Sequence, residues 1–440
     1  MEQRILVLGS GLVARPLIRY LLGRGHLLTV TNQNLDRAQE LIGVHPNGRA
    51  VALEITDEAL LNELIGWSDL VVSLLPFVFH ASVARRCLSL GKHLVTTSYV
   101  SNEMRELGPE AERLGLVFLN ETGLDPGLDH MSAMRIIRAV HERGGLVHGF
   151  RSFCGGLPAP QANDNPWGYK FSWSPRGVLL AGRNSARFMM NGSVVEVDSR
   201  QLFANPWKFD VDGPGELEGY ANRNSLQYVD LYGLRESTTM LRGTLRYPGW
   251  CAMMKLLGDL GWLSLDPIPG ENSTLGGITA ALIRKPTLRG DELRRAAGAF
   301  AGIAPEHNAL ERLAWAGLFD EVRAASAESV LDVLAARLQS LLVFKPGESD
   351  MSVMVHQFDI EEADGTRTTL VSSLVDFGEP DGDSSMARTV SLPAALGAEL
   401  ILAGRVAQCG VIIPIEAEIC EPILDAMEEM GIRFVETRIS

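Results

Sequence analysis

The first residues in this 440-residue chain with the types and spacing for chemistry are Gly9-Ser10-Gly11-Leu12-Val13-Ala14, a G-x-G-x-x-A motif. Gly9 permits a tight turn out of a strand, Gly11 admits backbone close to a pyrophosphate, and Ala14 keeps the following helix near that strand. The helix N-terminus offers unpaired N–H groups and the positive end of its dipole to phosphate. Alone, such a glycine pair is commonly a plain turn; between a strand and a helix, in a run of βαβ units, it points to a dinucleotide. About twenty residues on, Thr31-Asn32-Gln33-Asn34 stands where an NAD enzyme usually places an acid on the ribose diol. The missing carboxylate removes repulsion against a 2′-phosphate and amides can donate to it, so NADP is favoured, with NAD left open. The same amides could instead cap a helix starting near Asp36. Farther along, Asp125 precedes Pro126-Gly127 at the exit from the nucleotide-binding region, where a carboxylate could bind an ammonium group or carry protons. An Asx-turn is the plainer alternative. Asp129 reads as the N-cap of a helix from His130 to Gly144.

These residues need a scaffold, and the apolar pattern supplies one. RILVL, LLTVTN, AVALEI, LVVSLLP, HLVTT and LVFLN alternate with helical stretches, the βαβ signature of a parallel sheet. Their continuous apolar character fits strands covered on both faces. From residue 150 the chain turns rich in Gly, Pro, Asn and aromatics, and strand-prone pieces suggest a second sheet. Residues 265–277 look like a loop, and amphipathic stretches from Asp291 to Leu342 predict helices. A hairpin is expected to turn at Asp364-Gly365, with a helix from about Pro393 to Gly404 after it. The expected fold is α/β, with domains at 1–125 (dinucleotide-binding), 126–265 with 346–404 (mixed α/β), and 266–345 (helical). The closing segment, about 405–440, is expected to return to the first domain.

Composition excludes several classes. A formal charge of −14 argues against nucleic acid and anionic lipid as partners. No apolar run approaches the ~18 residues needed to span a bilayer, and the start lacks the look of a signal peptide. Five scattered cysteines without CxxC spacing read as reduced thiols, consistent with a cytoplasmic protein. The nine histidines show no metal-ligand pairing, and no GxSxG or P-loop occurs, so no metal site is expected. His80, His130 and His141 read as helix-surface or capping residues.

The segments VLGSGLVARP, SLLPFVFH, TTSYVS, NETGLDPGLDH, FCGGLPAPQANDNPWGYKFSWSPRGVLLAGRNSA, YANRNS and RGTLRYPG together closely resemble the saccharopine reductase family, the NADP-dependent, L-glutamate-forming saccharopine dehydrogenases. The resemblance spans nearly the whole chain. It implies a Rossmann-variant domain, a mixed-sheet substrate and dimerisation domain, a helical third part, and a homodimer. The implied reaction interconverts saccharopine with glutamate and 2-aminoadipate 6-semialdehyde. By the matching motifs, Ser98, Tyr99 and Asp125 would touch substrate, while Arg223, Thr244, Leu245, Arg246 and Tyr247 would hold its carboxylates. Tyr99, Asp125 and Cys154 would be the candidates for proton transfer. Gly9, Ser10, Gly11, Leu12, Val13, Ile55, Leu75, Thr97 and Leu124 would line the cofactor, with Asn32, Gln33 and Asn34 at its ribose end. The last three depart from the family's fungal members, which carry an Arg there. For Cys154 the alternatives are a covalent nucleophile or a packed small side chain; for Arg246, a structural ion pair. Competing readings are a dehydrogenase of another carboxylated amine such as carboxynorspermidine, an NAD-dependent saccharopine oxidation, and a nucleotide-sensing protein without turnover.

Overall fold

The computed structural model describes residues 3–269 and 273–439, so part of the loop expected over 265–277 lies outside the described residues. The chain opens with β1 (Arg4–Leu8), α1 (Arg15–Gly23), β2 (Leu27–Asn32), α2 (Leu35–Ile42), β3 (Gly48–Ala52), α3 (Glu58–Trp67) and β4 (Leu70–Ser73). It continues through α4 (His80–Leu90), β5 (His93–Thr96), α5 (Asn102–Arg105), α6 (Gly108–Arg113), β6 (Val117–Leu119) and α7 (Leu128–Glu142). Next come β7 (Leu146–Pro158), α8 (Pro175–Ala181), β8 (Ala186–Met190), β9 (Ser193–Val197), β10 (Trp207–Val211), β11 (Gly215–Ala221), α9 (Gln227–Leu231), β12 (Thr239–Arg246) and α10 (Trp250–Leu260). Helices α11 (Leu275–Leu282), α12 (Gly290–Ala301), α13 (Asn308–Trp315) and α14 (Val330–Leu341) precede the long strands β13 (Asp350–Glu361) and β14 (Arg367–Phe377). The chain closes with α15 (Ser385–Leu402), β15 (Gly410–Ile412), α16 (Ala417–Glu429) and β16 (Val435–Ile439). Two compact units result: residues up to Gly145 with Gly382–Glu436, and Leu146–Asp381 with the residues from Thr437 on.

The first unit holds a sheet of order β15-β6-β5-β4-β1-β2-β3, and its strand pairs run parallel. The apolar runs that compose it are buried along their length, as Ile5, Leu6, Val7 and Leu8 of β1 illustrate. Helices begin where short polar side chains take up orphan amides: Asn34 accepts from Asp36 N (3.0 Å), Asp57 from Leu60 N (3.1 Å) and Ser101 from Met104 N (3.1 Å). Each such cap contributes about 1 kcal/mol. Asn34 is thus a capping residue. Helix α15 begins at Ser385, eight residues before the expected Pro393, which sits inside it. An internal proline costs a helix ~3 kcal/mol; here Leu392, Ala394, Ala395 and Leu396 are all buried around it, which offsets that cost. The closing strand β16 joins the second unit's sheet, not the nucleotide sheet.

That second sheet runs β10-β11-β12-β7-β13-β14-β16, with β8 paired to β12 and β9. β7 lies parallel to β12 and antiparallel to β13. The β13–β14 hairpin turns through Asp364-Gly365, where Gly365 adopts φ 83° and donates to the Glu362 carbonyl (2.8 Å). Trp167, Trp250 and Trp262 are fully buried in its core with the inner faces of α10, α11, α13 and α14. Two of these indoles find acceptors, Trp167 on the Arg312 carbonyl (2.8 Å) and Trp262 on Thr279 Oγ1 (3.1 Å). Among the described residues no helix is long and apolar enough to cross a membrane.

Candidate active site

In the first unit, strand order reverses between β1 and β4, and ligands of such sheets bind outside the carboxyl ends of the strands at that point. The residues expected to face cofactor or substrate cluster at those ends. Gly9–Val13 follow β1, Asn32 ends β2, Ile55 follows β3, Leu75 follows β4, Thr97, Ser98 and Tyr99 follow β5, and Leu124 and Asp125 follow β6. At Gly9 (φ 95°) a Cβ would meet the Leu74 carbonyl at 3.2 Å, so the turn needs glycine. At Gly11 a Cβ would meet nothing within 4 Å, and Leu12 beside it is 61% exposed. Helix α1 carries no side-chain cap on its first amides. An open glycine turn leading to an uncapped helix suits a pyrophosphate, so this site fits a dinucleotide.

The ribose end is less simple than expected. Asn32 Nδ2 donates to Ser10 Oγ (2.7 Å), its Oδ1 accepts from Asn34 N (2.9 Å), and Gln33 Nε2 donates to Glu54 Oε2 (2.7 Å). The first base along α2, Arg37, pairs with Glu40 (2.7 Å). Gln33 and Arg37 thus each hold a surface carboxylate at this end.

Beside this edge, Tyr99 Oη donates to Asp125 Oδ1 at 2.8 Å, joining two of the expected proton-transfer candidates. Asp125 rides on a turn that only glycines allow. Gly127 has φ 147°, and a Cβ there would lie 2.0 Å from the Gly123 carbonyl oxygen. Asp129 does not cap α7 from outside: α7 begins at Leu128, and Asp129 Oδ1 reaches back to accept from Gly127 N (2.6 Å). Beneath the turn, His130 Nε2 bonds Glu121 Oε2 (2.8 Å), and Glu121 Oε1 accepts from Val100 N (2.9 Å). His130 and His80 are buried and cap neither helix start, unlike the helix-surface or capping residues expected. His80 Nδ1 lies 3.0 Å from Ser73 Oγ and its Nε2 3.0 Å from Ser98 Oγ. Burial drops the His80 imidazole to about 4, so it is neutral near pH 7. Residue spacing gives no sign of these contacts, because the partners come from the ends of separate strands.

In the second unit, Cys154 of β7 stands opposite Thr244 of β12, and Tyr220 of β11 opposite Thr244 on the other side. Alternation along β12 puts Thr244 and Arg246 on one face and Leu245, fully buried, on the other. Arg246 is 4% exposed, its guanidinium centred 5.0 Å from the Tyr169 ring and 5.3 Å from the Trp250 ring. Its Nη1 donates to the Leu245 carbonyl (2.7 Å), while its Nε has no hydrogen-bond partner among the described residues. Glu218 stands opposite it in register, yet that carboxylate accepts from Cys251 N (2.5 Å). Burial pushes the Tyr169 and Tyr220 phenols up, with Arg246 opposing, so both neighbours are neutral near pH 7. The alternative of a structural ion pair for Arg246 therefore finds no partner among the described residues. Tyr247 Oη donates to the Pro158 carbonyl (3.2 Å), and burial pushes that phenol up to about 12. Arg223 is exposed and holds φ 52°, a region side chains other than Gly seldom adopt. Among the described residues no group of three or more His, Cys, Asp or Glu is placed to hold a metal.

A parallel sheet reversing at a glycine turn, open at its carboxyl edge, defines a dinucleotide-binding α/β protein. Residues 5–119 match the saccharopine dehydrogenase NADP binding domain and residues 123–432 the saccharopine dehydrogenase C-terminal domain. The chain belongs to the saccharopine dehydrogenase family. It is 38% identical over 441 residues to saccharopine dehydrogenase [NADP(+), L-glutamate-forming] of Schizosaccharomyces pombe, covering 98% of both chains. It is 36% identical to the bovine mitochondrial alpha-aminoadipic semialdehyde synthase, covering 98% of this chain and 47% of that one. The apo histidine-tagged saccharopine dehydrogenase (L-Glu forming) from Saccharomyces cerevisiae superposes with a TM-score of 0.88 at 37% identity, over 100% of both chains.

Proposed function

We propose that this chain is an NADP-dependent saccharopine dehydrogenase of the L-glutamate-forming kind, interconverting saccharopine with L-glutamate and 2-aminoadipate 6-semialdehyde in lysine metabolism. The observation that carries the reading is Arg246: a buried guanidinium ringed by neutral aromatics, with no carboxylate on it among the described residues. A buried cation left so is costly unless an anion completes it, and saccharopine carries three carboxylates. Full-length likeness to L-glutamate-forming enzymes supports the same substrate over carboxynorspermidine.

NADPH, when bound at the β1 turn, supplies the hydride for an imine carbon. The protein's part is to bind, orient and move protons. Arg246 grips one substrate carboxylate as a planar fork, which Lys would not match, and Arg223 and Thr244 assist. Tyr99 and Asp125 share a proton at 2.8 Å, a distance suited to relaying one to or from the substrate nitrogen. Cys154, buried beside Thr244, shapes the pocket wall without forming a covalent bond to substrate. Free thiols suit a cytoplasmic enzyme, and the likeness to the family suits a homodimer. Absorbance at 340 nm with saccharopine and either NADP or NAD tests the reading. Saccharopine-dependent reduction of NADP is expected; none with either cofactor overturns the reading, and reduction of NAD alone overturns the cofactor assignment.

A further inference from the structure

His80 joins the ends of two neighbouring strands at the ligand edge of the nucleotide sheet. Its ring spans from Ser73, the last residue of β4, to Ser98, just past β5, at 3.0 Å on each side. A neutral imidazole has one N–H and one lone pair, so the two serines must play opposite roles. Ser73 decides which. It is fully buried, and its hydroxyl makes no other hydrogen bond among the described residues. If Nδ1 carried the proton, the Ser73 hydroxyl hydrogen would be left buried without an acceptor, which is unfavourable. Ser73 therefore donates to Nδ1, the ring proton sits on Nε2, and Nε2–H donates to Ser98 Oγ. The Ser98 hydroxyl has no other hydrogen-bond partner among the described residues and is only partly buried, so its own hydrogen points to a ligand acceptor.

We infer that His80 is a positioning residue that makes Ser98 a committed hydrogen-bond donor, through the chain Ser73 O–H, His80 Nδ1, His80 Nε2–H, Ser98 O–H, to a carboxylate or other anionic oxygen of the substrate. The inference rests on the reading above that Ser98 touches substrate. It adds a selectivity: with its lone pairs partly filled by the imidazole, Ser98 favours an acceptor over an ammonium donor at that point.

The test is a double-mutant cycle on saccharopine kcat/KM, with NADPH affinity from fluorescence and thermal melting as separate readouts. Ser98→Ala is expected to lower kcat/KM about 10- to 100-fold, the loss of one charge-assisted hydrogen bond. His80→Phe should lower it by a similar factor, His80→Gln, which keeps an N–H toward Ser98, should recover most of it, and His80→Phe added to Ser98→Ala should cost nothing further. NADPH affinity should stay within about twofold throughout, as for the milder Ser73→Ala, which should lower kcat/KM about threefold or more. Harmless Ser98→Ala would remove the underlying reading of Ser98. A harmful Ser98→Ala beside harmless His80→Phe, or losses that multiply in the double variant, would overturn the His80 inference while leaving Ser98 in place.

Discussion

Replacing Arg246 by Met separates function from fold in one variant. The guanidinium is 4% exposed, carries one hydrogen bond to its own strand, and faces no carboxylate among the described residues. Keeping such a charge unpaired away from water costs several kcal/mol, and apolar replacement of buried ions stabilises by ~1–4 kcal/mol. Losing the bond to Leu245 takes back about 1 kcal/mol. A methionine also fills the space between Tyr169 and Trp250 without a cavity. The net gain of ~0–3 kcal/mol means that the ligand-free variant should melt no lower than the parent, and up to ~12 °C higher at the ~2–4 °C per kcal/mol typical of a unit this size. Catalysis should move the other way. Two charge-assisted hydrogen bonds to a carboxylate are worth about 3–6 kcal/mol together, so saccharopine kcat/KM should fall by ~10²–10⁴-fold, with NADPH affinity unchanged. Calorimetry without ligand and the 340 nm assay give both numbers. A lower melting temperature, or kcat/KM within about threefold of the parent, would refute the reasoning, because Arg246 would then be a structural cation.

Arg37→Ala should weaken NADPH binding about 5- to 30-fold and leave NADH alone, by titrating protein fluorescence, since the first base past the ribose-end amides, now on Glu40, would serve the 2′-phosphate. Gly127→Ala should destabilise the first unit by more than ~3 kcal/mol, because its Cβ would collide with the Gly123 backbone; denaturant melts check it. His80 binds a proton near 6.5 when unfolded but near 4 when folded, so stability falls as pH drops through that window, by about 3 kcal/mol in full. His80→Gln should flatten that acid slope in urea titrations at pH 4 to 7. Burial pushes the Cys87, Cys251 and Cys420 thiols up, so native protein should react with a disulfide reagent first at the half-exposed Cys409; fast labelling of Cys87 would contradict the packing.

The glycine turn, the strand ends that carry Ser98, Tyr99 and Asp125, and the hairpin at Asp364-Gly365 were all legible in the residues, because local turn chemistry and period-two or apolar runs determine them. What was not legible depends on partners distant in sequence. The buried positions of His80 and His130 follow from Ser98 and Glu121, supplied by other strand ends. Asn34 spends its side chain on a cap, and Gln33 on Glu54, because the end of β3 lies beside them. Pro393 reads as a helix start in isolation, yet α15 is buried on both sides of it and continues through. The emptiness of Arg246's ion pair could not be read from TLRY, since Glu218 opposite it turns to Cys251 instead.

The central claim is that the glycine turn holds the dinucleotide and Arg246 holds the substrate for one hydride transfer. A crystal structure with NADPH and saccharopine both bound tests it directly. The reacting saccharopine carbon should lie ~3–3.5 Å from the nicotinamide C4, with a carboxylate forked on Arg246 and the pyrophosphate over Gly9–Val13. Saccharopine lodged away from the nicotinamide, or its carboxylates held without Arg246, would contradict it.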